Sequence, residues 1–238
     1  MTVRVLTSAF LAAVALAAPP QRPERVLFIG NSLTLANGLG AMVEALAREA
    51  GDMPIETRTV AVGGFSLEDH WTHGDASRVL AAGGWTTVVL QQGPSTQPAS
   101  EALLRGVVRR FAGEAARIGA RTAIFMTWPP RAGPGTMADS SRSHRRAAAD
   151  VGALLLPVGD AFRAALESDP RLEVLSSDGF HPSPLGTYLA AIVIHKALSH
   201  RSAPFVPAEL TANGDPRFRA VHVFPGTITL LRAAATGS

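Results

Sequence analysis

The stretch RVLFIGNS, residues 25–32, sets the reading of the whole chain. Val26, Leu27, Phe28 and Ile29 are apolar in unbroken succession, and Gly30 stops them. A run this short and uniformly apolar predicts a strand at 25–30 with both faces covered, as in a parallel sheet. Directly behind it, Leu39, Met42, Val43, Leu46 and Ala50 recur at helical spacing, which predicts a helix over 33–50. The alternation continues outward. Strands are expected at 55–62, 86–90, 122–126 and 154–158, and helices at 100–118, 137–151, 161–166 and 184–198. Ser183 is placed to cap the last helix and Pro184 to open it. Strands alternating with helices predict an α/β fold, a three-layer α/β/α sandwich around a flavodoxin-like five-stranded parallel sheet. Ligands in such sheets gather at the carboxyl ends of the strands, close to where strand order reverses. Ser32 follows the first expected strand, Gly63 and Gly64 the second, Gln91 and Gln92 the third. The tail from Pro204 onward is expected to add a helix and a strand at the sheet periphery.

Composition narrows the class. The chain has 238 residues, 47% hydrophobic and 17% charged, which suits one globular domain. The first residues differ: Arg4 precedes an apolar run from Val5 to Leu16, and Ala15-Leu16-Ala17 offers a small-x-small cleavage pattern before Pro19 and Pro20. Residues 1–17 therefore read as a cleaved signal peptide rather than a buried helix or an anchor, leaving a single domain over 18–238, secreted or periplasmic. Beyond the leader no apolar run reaches the roughly 18 residues of a membrane span, so no stable membrane insertion is expected. Cysteine is absent, which excludes a thiol nucleophile and thiolate metal ligands. The net charge is +3, and Lys196 is the only lysine. Arg105, Arg109, Arg110, Arg117 and Arg121 fall along one helix and its exit, with Arg142, Arg145 and Arg146 further on; this reads as a solvated helix face, not a nucleic-acid footprint. Composition is silent on oligomeric state.

Two short motifs carry chemistry. In Gly30-Asn31-Ser32 a serine sits just past a buried strand at the mouth of a helix, where backbone N–H groups favour developing negative charge. Alone, such a serine reads as a helix cap. In Asp178-Gly179-Phe180-His181-Pro182 a carboxylate stands three residues before an imidazole, ahead of the final helix. There the carboxylate can hold one tautomer of the ring while the other nitrogen faces a hydroxyl. The pairing of the two motifs moves Ser32 from cap to candidate nucleophile, with Asp178 and His181 behind it. His70 and His73, near Asp69 and Asp75, match no fixed zinc motif and read as polar residues on a surface loop; no metal is expected. His70, Trp71 and Trp128 are placed to border a pocket, although a core or rim role suits Trp128 better. Residues 129–143, rich in Pro, Gly and Ser, read as a loop walling or covering the site. No dinucleotide fingerprint and no G-x-S-x-G elbow occurs.

The block FIGNSLT, residues 28–34, resembles the first block of the SGNH/GDSL hydrolases, which more often reads G-D-S, and DGFHPSPLGTYLAA, residues 178–191, resembles their last. VAVGGFSLEDHW, residues 60–71, is similar to their second block. The resemblance spans about residues 25–200 in the family's order. It implies a catalytic triad of Ser32, Asp178 and His181, no cofactor, and an oxyanion hole from the N–H groups of Ser32 and Gly64. The family's third block, G-x-N-D, is absent: this chain has Leu90-Gln91-Gln92-Gly93-Pro94. A glutamine amide carries the same donor one methylene further out, so Gln92 is expected to complete the oxyanion hole, with Gln91 the next candidate. The implied reaction is hydrolysis of small or short-acyl esters, carbohydrate acetyl esters among them, through an acyl-enzyme. Lipase or lysophospholipase action on longer chains, a glycan-binding module without turnover, and a nucleotide-binding flavodoxin-like protein stay open as alternatives.

Overall fold

Side chains alternate across a strand, and this alternation builds two cores from one sheet. The first strand, β1 (Glu24–Gly30), sends Val26 and Phe28 into one core and Leu27 and Ile29 into the other. The computed structural model describes residues 23–211, 214–218 and 220–237, and the predicted signal peptide lies outside them. Around β1 stand β2 (Ile55–Ala61), β3 (Thr87–Leu90), β4 (Arg121–Phe125) and β5 (Leu154–Leu156), all parallel, in the order β2-β1-β3-β4-β5. This is the flavodoxin-like order, with its switch point between β1 and β3.

Behind β1 the chain forms α1 (Ser32–Leu35), a 3₁₀ turn (Ala36–Gly38) and α2 (Leu39–Glu49). The continuous helix expected over 33–50 is thus broken. Asn37 and Gly38 take left-handed backbone angles, φ 51° and 71°, which no helix accommodates and which Asn and Gly tolerate best. Next come α3 (Leu67–His73) and α4 (Asp75–Ala81), which periodicity did not reveal, then α5 (Pro98–Arg117) and α6 (Met137–Val151). The fifth strand stops short of the expected 158 because Pro157 has no N–H for the ladder, and α7 (Val158–Ser168) begins at once. Helix α8 (Pro184–Leu198) has Ser183 accepting from the Gly186 N–H, and the tail forms a β6 (Glu209–Leu210)–β7 (Val221–His222) pair and α9 (Pro225–Thr236). Helices α2, α7, α8 and α9 cover the face of Val26 and Phe28; α3 to α6 cover the face of Leu27 and Ile29. The result is the three-layer sandwich. Among the described residues no helix is long and apolar enough to cross a membrane.

The arginine stripe is charge-balanced. Arg105 and Arg109 both reach Asp150 and Arg146 reaches Glu101, so α5 and α6 are laced together on their outer surface, while Arg145 reaches the buried Asp160 of α7. Exposed pairs of this kind are worth at most about 1 kcal/mol each. The apolar layers beneath carry the stability.

One buried polar cluster ties the sheet's carboxyl edge to α6. His144 is wholly buried, and its Nδ1–H donates to the Ser140 carbonyl at 2.8 Å. The Ser140 hydroxyl reaches the Thr127 and Pro94 carbonyls at 2.7 and 3.0 Å, joining the exits of β3 and β4 to the helix. Burial pushes the His144 imidazole down to about 4, against the opposing pull of the Ser140 carbonyl. A histidine depressed on folding is protonated more readily in the unfolded chain, so stability is full above the ordinary histidine range and falls as pH drops through it toward 4. The loss amounts to about 3 kcal/mol from this residue. Thermal melts from pH 7 to 4 are expected to show the decline, and His144→Leu should flatten it without abolishing it. His195, also lowered by burial, contributes in the same direction. A variant with the wild-type slope would contradict this account.

Candidate active site

The segment carrying Ser32 is shaped by what surrounds Gly30. A Cβ there would lie 2.5 Å from Gln91 Oε1 and equally close to the Thr34 hydroxyl, so only glycine fits at the strand end. Asn31 then caps α1: its Oδ1 accepts from the Leu33 N–H at 3.1 Å, which leaves Ser32 in the first turn with its hydroxyl uncommitted to capping. Gln91 is buried beneath this turn, and its Oε1 accepts from both the Asn31 N–H and the Thr34 hydroxyl at 2.8 Å.

The opposing turn is built with equal economy. An isolated bridge pairs Leu175 with Pro182, the Ser176 N–H donates to the His181 carbonyl at 2.8 Å, and Gly179 reverses the chain with φ 70°. Asp178 Oδ1 accepts the N–H groups of Phe180 and His181, each at 2.9 Å. Its Oδ2 lies 2.6 Å from His181 Nδ1. A carboxylate only accepts, so Nδ1 carries the proton and Nε2 is left as an acceptor. Ser32 Oγ sits 2.9 Å from that Nε2. The His181 hydrogen bond, then the Phe180 and His181 N–H groups, hold the Asp178 carboxyl down at about 2. Two side chains lock the turns together: Asn37, at the helix break, donates from Nδ2 to the Pro182 carbonyl (3.2 Å) and the Thr187 hydroxyl (2.8 Å), and Trp128 Nε1–H donates to the Phe180 carbonyl at 2.9 Å.

Gly63 and Gly64 form the turn after β2. The Phe65 N–H donates back to the Val62 carbonyl at 3.1 Å, and Gly64 has the positive φ, 80°, that a type II turn needs at its third position. A Cβ at either glycine would touch nothing within 4 Å, so the turn stands free in solvent. Among the described residues nothing accepts from the N–H of Ser32 or of Gly64. Gln92 is anchored by its oxygen: Oε1 accepts from the Leu67 N–H, at the mouth of α3, at 2.7 Å, and no described residue accepts from its Nε2. Gln91 differs, for its Nε2 donates to the Gln92 carbonyl at 2.9 Å. Gln92 thus has the free amide donor, while Gln91 is spent bracing the Ser32 turn.

No family model matches the sequence, and no curated protein does. Solved structures do. A Slackia heliotrinireducens protein assigned to the SGNH hydrolases is 32% identical, covering 74% of this chain and 100% of its own, with a TM-score of 0.64. The chain belongs to the SGNH hydrolase family. A DUF4886 family protein from Bacteroides uniformis is 20% identical over 91% of this chain and 94% of its own, with a TM-score of 0.66. A catalytic mutant of an acetylxylan esterase from Geobacillus stearothermophilus shares the fold at 15% identity over 73% and 91%, with a TM-score of 0.55.

As an SGNH hydrolase the chain departs from its sequence reading at several residues. His70 is not on a surface loop: it is buried on α3, and its Nε2–H donates to the Gly30 carbonyl at 2.6 Å, directly beneath the Ser32 turn. The signal for that helix was present in Ser66-Leu67-Glu68-Asp69, a capping box in which Ser66 and Asp69 satisfy each other's N–H groups. Trp71 borders no site; it packs edge-on against Phe111 of α5, ring centroids 5.1 Å apart. Trp128 is fully buried and stacks on Phe162 at 4.1 Å, reaching the site only through its N–H. The loop from Pro129 is tied to the turn of Asp178 and His181 and to the exit of β3. Its Arg131 N–H donates to the Gly179 carbonyl at 2.9 Å, and its Pro134 carbonyl accepts from the Thr96 hydroxyl at 3.1 Å.

Proposed function

We propose that this SGNH hydrolase is a serine esterase acting on small or short-acyl esters, carbohydrate acetyl esters among them. The observation that carries the reading is the continuous relay from Ser32 through His181 to Asp178, 2.9 Å and then 2.6 Å. In this mechanism His181 Nε2 takes the Ser32 proton as Oγ attacks the ester carbonyl. Negative charge on the carbonyl oxygen is met by the N–H groups of Ser32 and Gly64 and by the Gln92 amide. His181 returns its proton to the departing alcohol, then activates water to release the acid. Asp178 stays ionised and fixes the ring.

Support for short acyl groups comes from the acetylxylan esterase that shares the fold. Turnover of p-nitrophenyl acetate is expected to exceed that of the decanoate by about tenfold, the low end of the discrimination that one site makes between acyl groups of different length. Preference for decanoate would reverse the assignment in favour of a lipase. Export through residues 1–17 remains part of the proposal, and intact mass of the exported protein should begin at Ala18; retention of Met1 would contradict it.

A further inference from the structure

The free-standing glycine turn raises a positional problem. The donor at Gly64 serves a developing oxyanion only if it is held in register with Ser32, yet Gly63 and Gly64 stand in open space, Val62 beside them is 43% exposed, and packing holds the turn at its far end, where the Phe65 ring meets His70 and His73. Besides that packing, hydrogen bonds tie the turn to the two residues just before Ser32. At one end the Val62 N–H donates to the Gly30 carbonyl at 3.3 Å. At the other, Asn31 Nδ2 donates to the Phe65 carbonyl at 3.0 Å. Of these ties, only the second comes from a side chain.

We infer that Asn31 is a positioning residue, its amide tethering the Gly63-Gly64 turn to the nucleophile segment so that the Ser32 and Gly64 N–H groups converge. The inference deepens the esterase reading and rests on it for its catalytic consequence. Chemistry explains why an amide is required. Asn31 uses both ends at once, Oδ1 accepting from Leu33 and Nδ2 donating to Phe65. The aspartate more usual at this place in the family accepts only, so it would keep the cap and set a carboxylate against a carbonyl oxygen. Asparagine at position 31 thus gives the turn a tie that aspartate could not make.

Asn31→Asp and Asn31→Ser separate tethering from capping. Both retain a good N-cap, and the carboxylate is favoured at a helix N-terminus, so the fold is preserved. The carboxylate has no proton to donate to Phe65, and the serine oxygen, one bond nearer the backbone than the Asn31 amide nitrogen, caps α1 without the reach to Phe65. Each is expected to lower kcat on p-nitrophenyl acetate by roughly tenfold to a hundredfold, the scale of a misplaced group near the reacting centre, with KM within about threefold. Amide hydrogen exchange across residues 62–66 should quicken in both variants while α8 exchanges as in wild type. Unchanged exchange across 62–66, or kcat within twofold of wild type, overturns the inference. If wild type itself fails to turn over the ester, the esterase reading fails, and exchange alone still decides the tether.

Discussion

Ser32→Ala is expected to lower kcat/KM on an acetyl ester by about 10⁴- to 10⁶-fold, the loss seen when one member of a nucleophile–base pair is removed. Stability should hardly move. Asn31, not Ser32, caps α1, and the Ser32 hydroxyl bonds only to His181 among the described residues, so truncation leaves no buried group unpaired. His181→Ala should cost about as much. The double variant should be no worse than either single one, because a hydroxyl without its base and a base without its hydroxyl are equally idle. Steady-state kinetics on the three variants, with melting curves as control, checks this. Additive losses would contradict a shared role, and a drop under tenfold for Ser32→Ala would remove the nucleophile.

Asp178→Asn is expected to cost about 10⁴-fold in kcat. The amide keeps an oxygen for the Phe180 and His181 N–H groups, so the turn should survive. What changes is the partner of His181 Nδ1. An asparagine Nδ2 facing the ring donates, and it favours the tautomer that puts the proton on Nε2, where Ser32 needs an acceptor. With its carboxyl held at about 2 by His181 and by backbone N–H groups, Asp178 is charged at any working pH. Its folded-state value is depressed, so the stability it brings is present above the ordinary carboxylate range and lost as pH falls toward 2. The acid limb of the rate profile therefore does not belong to Asp178. A variant that kept more than a tenth of wild-type kcat would show that the carboxylate does not orient the ring.

The frame was legible because burial leaves strong traces. The apolar run before Gly30 and the Ser183-Pro184 start of α8 are signals of local geometry that tertiary contacts reinforce. The break at Asn37 was hidden for a physical reason: Leu39, Met42, Val43 and Leu46 keep helical spacing behind it, and periodicity cannot register two left-handed residues ahead of it. Helices α3 and α4 have seven residues each, too few to repeat a pattern, so the capping box at Ser66 was the better cue. The two glutamines divide by strand parity. Leu90 belongs to the core under α3 to α6; Gln91 turns the other way, to the Ser32 turn, and Gln92 turns back to α3. His70 illustrates the limit of composition, since a histidine among Asp, Glu and Gly looks solvated until a helix turns it inward.

The central claim is that Ser32 is an activated hydroxyl. Treatment of the folded wild-type protein with a fluorophosphonate, followed by peptide mapping, should find one covalent adduct, on Ser32, and His181→Ala treated alike should show almost none. Wild-type protein left unmodified, or modified at another serine, would contradict the account.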